Sequence, residues 1–311
     1  TTEIYTLSLH DALPIFTPPR NSHAATEDGS AMHERLWYRQ PAADWCNGLP
    51  IGNGRLAAMV LGTCRTERLA LNHEWLWQGI NRCRDVDAAA QHLPEVRRLL
   101  RQGEYEKGTE LGNACFGGPG GISGRPNRVD SFQTAGDLFA EFRHRPFHGY
   151  TRELDLTTAM ATVRYNGMRR DRAWHRREYL AHLTEGLILA RFSCDGGPFD
   201  CTLWLDRTHD PACSLRRDAT ASALRLEGQI RDGIAFMVQA ELFVTGGAAE
   251  VLEGGKVAVT DAVEVLVAID IGTSAQGRAP REECAGRRLT TRVWEELLRT
   301  QIGRASCRER V

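Results

Sequence analysis

The sequence predicts a mainly β protein: a large antiparallel β-sandwich (a supersandwich), with a short helical insertion and the start of a C-terminal linker helix. Three observations carry this. From Ser131 to Ile271, short apolar-rich runs follow one another between Gly and Asp clusters, which is the spacing of a sandwich. Strand and helix patterns do not alternate, so a dinucleotide-binding α/β fold is excluded. The stretch Leu49–Gly79 carries two apolar runs, Leu56–Leu61 and Leu69–Leu71, around the polar connection Gly62–Glu67. It reads as a β-hairpin whose first strand is buried on both faces.

Taken in order, Trp37–Trp45 is an extended lead-in broken by Pro41, and its aromatics are expected to close one end of a core. Gly52-Asn53-Gly54 opens the hairpin with two residues that tolerate angles a β-carbon forbids, and Asn72, Glu74, Trp75 and Trp77 stand at its exit. Leu93, Val96, Leu99 and Leu100 fall at helical spacing, with Pro94 suited to a first turn and Gly103 as the break. Glu104–Cys115 reads as a second short helix with Tyr105, Gly108 and Leu111 on one face. The pair is expected to pack on a sheet or a neighbouring domain. Phe116–Pro126 is a glycine-rich loop without the preceding strand and following helix that a phosphate cradle needs.

Asp137–Arg143 and Tyr150–Leu156 read as strands flanking a His/Pro-rich turn, and Asn166-Gly167 as a two-residue hairpin turn. Trp174–Leu180 should pair with Gly186–Cys194. Further strands are expected at Phe199–Leu205, Ser222–Ile230, Ile234–Val244, Lys256–Val259 and Val263–Ile271. Thr291–Gln301 starts an amphipathic helix with Val293, Leu297 and Leu298 on one side.

Composition is that of a globular protein, and the net charge of −1 argues against a nucleic-acid partner. Arginine is abundant while lysine stands only at Lys107 and Lys256, which reads as codon bias. No apolar run is long enough for a membrane helix. The cysteines show no zinc spacing, and a chain of this length is not a disulfide scaffold. They read mostly as small apolar residues, reduced in a cytoplasm; a start further upstream would leave a periplasmic or secreted protein open.

The quoted stretches resemble the opening of glycoside hydrolase family 95, the inverting α-L-fucosidases. Leu36-Trp37-Tyr38, Leu49–Gly62 and Leu71–Gly79 correspond to its Leu-Trp-Tyr, "LPIGNGRLGAMVFG" and "LNEDTLWSG" runs, with departures at His73, Trp75 and Gln78. Ser131–Phe142 and Tyr150–Tyr165 are similar to further runs of that family. The resemblance implies an N-terminal β-sandwich at residues 32–288 and a linker at 289–301 that leads into an absent (α/α)₆ barrel. Inverting chemistry needs an acid and a base about 6.5–9.5 Å apart. The resemblance places the acid, and the Asn and Asp residues that position water, in that barrel. No catalytic residue, metal or cofactor is therefore assigned to this chain. The expected partners are the catalytic barrel and, through it, a fucosylated oligosaccharide, with no nucleic acid and no membrane. The alternatives are a stand-alone carbohydrate-binding or structural β-domain, or the N-terminal domain of a related sugar phosphorylase.

Residues 1–15 and 302–311 back-translate to one sequencing-adapter DNA read on opposite strands. They are expected to be artefacts of a metagenomic read, outside any fold argument. Residues 16–31, polar and rich in Pro and Ser, are a disordered leader or untranslated DNA, with Met32 as the expected start.

Asn53, Arg55, Asn72, Glu74 and Trp77 form the candidate surface for substrate or barrel; the alternative is that Asn53 and Asn72 satisfy turn backbone. Glu74 is expected in an ion pair with Arg55. Among other carboxylates, Asp137 suits a turn, and Glu153 and Asp155 the solvated face of a strand.

Overall fold

A computed structural model describes residues 34–78, 89–116, 130–143, 146–167 and 173–284. Sixteen strands among them form two antiparallel sheets. The nine-stranded sheet runs β1 (Arg35–Tyr38), β6 (Pro146–Asp155), β7 (Met160–Gly167), β8 (Trp174–Ala181), β9 (Ile188–Cys194), β16 (Glu264–Thr273), β13 (Ala235–Thr245), β12 (Ala223–Ile230) and β11 (Cys213–Thr220). The seven-stranded sheet runs β14 (Ala248–Leu252), β15 (Lys256–Ala262), β10 (Phe199–Asp206), β5 (Gly136–Phe142), β4 (Thr66–His73), β3 (Leu56–Val60) and β2 (Leu49–Gly52). The predicted fold class holds.

Period-two alternation builds the core. Phe199, Cys201, Leu203 and Leu205 of β10 point inward between half-buried neighbours, and Val238, Ala240 and Leu242 of β13 meet them from the other sheet side. β3 corrects an expectation. Leu56, Ala58 and Val60 are buried while Ala57 is exposed, so only one face of this strand is dry. Its run of small apolar residues imitates a two-sided strand, but the sheet's outer face is open at Ala57.

Other boundaries also moved. β5 and β6 do not form a hairpin: β5 pairs with β4 and β10, and β6 with β1 and β7. The chain changes sheets between them. Asn166 and Gly167 are not the turn but the last residues of β7, paired with Trp174 and Pro146. The Asn-Gly signal was one strand-end early. β2, β11 and β14 lay outside the expected strands. All three are edge strands, and β11 and β14 are largely exposed, so neither shows a clean apolar alternation.

Helix α1 (Ala89–Arg101) contains Pro94 in its interior, not its first turn. It ends before Gly103, whose φ is +79°, as expected. Helix α2 (Tyr105–Phe116) buries Gly108, where a β-carbon would stand 2.9 Å from Leu100 Cδ2. The two helices thus pack on each other, with Tyr105 turned to solvent. A short helix, α3 (Pro280–Glu283), follows β16. Leu36, Trp37, Tyr38 and Trp45 are all exposed, so the lead-in lies over the edge of the sandwich and does not close its core. The glycine-rich loop beyond Phe116 and the Thr291–Gln301 helix lie outside the described residues, as does Cys83. Of the described cysteines, Cys64, Cys201 and Cys284 are buried and Cys46 is exposed.

One polar cluster sits inside the apolar core and joins the sheets. Glu67 of β4 and Arg177 of β8 pair at 3.1 Å, with side chains 2% and 1% exposed. The Glu67 carboxylate also accepts from Gly62 N (2.8 Å), Arg68 N (3.0 Å) and Tyr179 Oη (2.8 Å). The Arg177 guanidinium donates to Thr63 O (2.7 Å), Cys64 O (2.5 Å) and Tyr165 Oη (2.5 Å) and lies 4.0 Å over the Phe142 ring. Burial opposes its charge, but the surrounding Tyr165, Tyr179 and Glu67 groups outweigh it and hold the pKa above the ordinary arginine value. Burial likewise pushes the Cys64 thiol up to about 11.

Removing one partner of a buried pair leaves an uncompensated charge and costs about 3–5 kcal/mol. Arg177→Met and Glu67→Gln should each show a loss of that order in urea unfolding followed by tryptophan fluorescence. The double variant should lose clearly less than the sum; strict additivity would contradict direct coupling.

Candidate functional site

The β2–β3 turn, the β4 exit, the β8–β9 turn and α3 gather at one end of the sandwich. Asn53 builds the first of these. Its Oδ1 accepts from Arg55 N (3.1 Å) and Leu56 N (2.8 Å), and its Nδ2 donates to His182 O in the β8–β9 turn (2.9 Å). The backbone-satisfying alternative therefore holds for Asn53, with a tether between the sheets added.

Arg55 does not pair with Glu74. Its Nη2 lies 2.9 Å from Glu283 Oε1 in α3 and 3.3 Å from Ile271 O in β16. Glu283 in turn accepts from Thr273 N at 2.7 Å. The reason is direction: Arg55 turns toward the nine-stranded sheet, while Glu74 is exposed and meets Arg55 only through its backbone N–H, which donates to Arg55 O at 2.9 Å. Asn72 lies in β4 opposite Ala57, on the face away from the core residues Leu71 and His73. Trp77 is exposed, donates its indole N–H to Glu74 O (3.0 Å) and meets Phe132 edge-on at 5.2 Å.

The five candidates thus separate. Asn53 and Arg55 close the sandwich end, whereas Asn72, Glu74 and Trp77 face outward. Beside Trp77 and Phe132, Trp75 is also exposed. The Trp77 and Phe132 rings form an aromatic surface that suits the face of a sugar ring or an apolar partner surface.

Two residues of this end were missed. His73 is buried; its Nδ1 accepts from Trp75 N (3.1 Å), and Arg55 Nε lies 3.3 Å from its Nε2. Burial, with the Arg55 charge next, lowers its pKa. Its departure from the resembled motif was the available signal. Glu283 carried none, being 228 positions from Arg55.

Three other carboxylates named from the sequence have structural partners. Asp137 pairs with Arg68 at 3.0 Å; burial raises its pKa against the pull of that arginine. Glu153 meets Arg35 at 3.4 Å, and Asp155 accepts from Thr157 N and Thr158 N. No group of three potential metal-ligating side chains lies together among the described residues. A separate cavity of about 210 Å³ is lined by His175, Cys194, Asp200 and Asp261 among others.

The model of a known family, "Glycosyl hydrolase family 65, N-terminal domain", matches residues 36–278. The chain belongs to that family. It is 34% identical over 180 residues to Alpha-L-fucosidase 2 of Arabidopsis thaliana, covering 56% of this chain and 20% of that protein. It is 29% identical over 144 residues to Probable alpha-fucosidase A of Aspergillus oryzae, covering 44% and 19%. The chain therefore spans about a fifth of the length of the curated relatives it matches. A solved structure of a human-microbiome protein, assigned as a kojibiose phosphorylase, aligns over 83% of this chain and 35% of its own, at 7% identity and a TM-score of 0.45. The expected kinship to the N-terminal region of α-L-fucosidases holds, under a family name shared with other glycosyl hydrolases.

Arg55→Ala removes a charge-assisted pair and should cost about 1–3 kcal/mol. Glu283→Ala should match it, and the double variant should cost little more than the larger single. Glu74→Ala should change stability by less than about 0.5 kcal/mol, all read by urea unfolding.

The His73 shift has a sign. The ordinary value is 6.5 and the folded one is lower, so the unfolded ring takes up a proton that the folded ring resists. Its contribution is present above pH 6.5 and is lost as pH falls through the folded value. The stability gap between wild type and His73→Gln should therefore narrow as pH falls below the ordinary value of 6.5. A gap that is flat or widens would show that the ring is not buried neutral.

Proposed function

We propose that this chain is the N-terminal β-domain of a glycoside hydrolase that releases fucose from α-L-fucosides of oligosaccharides by inverting displacement. The observation that carries the reading is the 34% identity over 180 residues to Alpha-L-fucosidase 2. Membership of a glycosyl hydrolase N-terminal family supports the domain role. So does the site, where Arg55 is held by Glu283 in a structural pair. The end of the sandwich offers structural closure and an aromatic surface.

In this reading the reacting groups belong to a barrel beyond residue 301, joined through a linker at 289–301. The β-domain buttresses that barrel, with Trp75, Trp77 and Phe132 on the side available to it. A second reading is the N-terminal domain of a sugar phosphorylase.

The test is to extend the gene past Gln301 from source DNA and to assay the complete product and this chain side by side with 4-nitrophenyl α-L-fucoside. The complete protein should release the phenol without added phosphate, and this chain should release none. Turnover that requires phosphate would favour the phosphorylase, and a stop codon soon after Gln301 would leave a stand-alone β-domain.

A further inference from the structure

At the far end of β8 and β9 from the Asn53 tether, the two sheets flank the cavity of about 210 Å³. On the nine-stranded side, His175 of β8 is buried, and its Nε2 lies 3.9 Å from Cys194 Sγ of β9. The Tyr165 ring stacks on the imidazole at 5.2 Å and 14°, and its hydroxyl is bound by Arg177, so the plane of the imidazole is fixed. A β-carbon at Gly167 would stand 3.0 Å from the same Nε2; glycine there leaves the nitrogen its approach to the sulfur. Cys194 is half-buried and lines the cavity, whose rim includes the exposed Arg143. A thiol beside an imidazole at such a wall is a nucleophile with its base. Cys64 and Cys201 differ: both are buried, with thiols pushed up to about 11 and about 12.

The seven-stranded side carries charge of both signs. Arg143 follows β5, Asp200 stands in β10 and Asp261 in β15, and all three line the cavity. The β10–β15 register slips between Phe199 and Cys201, and Asp261 takes a φ of +54°. The Asp261 N–H donates to Asp200 Oδ1 at 3.1 Å. An irregularity of this kind re-aims side chains, and here it accompanies two carboxylates at the cavity wall.

We propose that Cys194 is a site of thiol–disulfide exchange with a small disulfide of the α-amino-acid class, represented by cystine. The Arg143 guanidinium suits the α-carboxylate of such a molecule, and Asp200 with Asp261 suits its α-ammonium. The cavity volume equals that of about seven waters, which is about the number of heavy atoms in the half-cystine that stays bound. In the exchange the Cys194 thiol proton passes to His175 Nε2, and the Cys194 sulfur attacks one sulfur of cystine. The cystine S–S bond breaks as the new one forms, and the departing cysteine thiolate takes the proton from the imidazolium. Cystine is the oxidant: Cys194 is oxidised to the mixed disulfide and one cysteine is released. Nothing in this depends on which sugar the parent protein cleaves.

The test treats the full chain with cystine and, separately, with the uncharged 2-hydroxyethyl disulfide, and reads the rate at each cysteine by peptide mass spectrometry. The exposed Cys46 supplies the reference rate, and the buried Cys201 reports an intact core. With cystine, Cys194 should outreact Cys46 despite its lower exposure. Relative to Cys46, it should react about tenfold faster with cystine than with the uncharged disulfide, the scale of a charge-steered encounter, and Arg143→Gln should remove that preference. His175→Gln should slow Cys194 about a hundredfold with both reagents, the low end of general-base catalysis. Equal relative rates with the two disulfides would overturn the amino-acid class of the ligand. An unchanged rate in His175→Gln would overturn the thiol–imidazole pair. Should that variant expose Cys201, the unchanged chain decides: a Cys194 slower than Cys46 with cystine overturns the site.

Discussion

The pair between Glu67 and Arg177 is the interaction on which the two sheets' relation depends. Each side chain is nearly excluded from water, and the two meet across the sandwich. Glu67 gathers two backbone N–H groups, a tyrosine hydroxyl and the guanidinium. Arg177 returns the contact by binding the carbonyls of Thr63 and Cys64, in the same β3–β4 connection. An apolar core tolerates sliding of one sheet over the other, because dispersion is not directional. A buried charge pair does not, since any shift leaves a charge unpaired in a poor dielectric. Gly62 shows how tight the fit is: at φ +73°, a β-carbon there would stand 2.5 Å from Tyr150 Oη and 2.7 Å from Arg152 Cδ.

The opposite kind of closure occurs at Arg55. There the charge is part-exposed and its partner comes from α3, far along the chain. Together with the Asn53 tether to the β8–β9 turn, it holds the turns of one sheet against the ends of the other. A domain built this way is suited to presenting a rigid surface. Trp77 and Phe132 are exposed at that end, and the chain belongs to a glycosyl hydrolase N-terminal family.

Much of the fold was legible because central strands declare themselves by apolar runs. β10, β12, β13 and β16 were readable for this reason. Edge strands were not: β11 carries Arg216, Arg217 and Asp218 in sequence, a pattern set by solvent and not by a core. The Asn166-Gly167 signal misled because the same residues that favour a turn can end a strand. At the site, Asn53 was legible as a turn builder, since an Asn side chain caps the backbone locally. The Arg55–Glu283 contact was not, because nothing local links residues 228 positions apart. The five candidate residues fell within the one stretch from Asn53 to Trp77, but strand alternation turned Asn72 away from the face of Leu71 and His73.

The central claim is that a buried carboxylate ties the β3–β4 connection to the far sheet. Native-state hydrogen exchange at the Gly62 and Arg68 amides tests it most directly, because both donate to Glu67. Gly62 lies outside any strand, so on local structure alone its amide would exchange quickly. The account predicts that both amides exchange only on global unfolding, with the slowest amides of β10 and β16. Exchange of Gly62 at the rate of an open loop would show that Glu67 does not hold the connection, and would contradict the account.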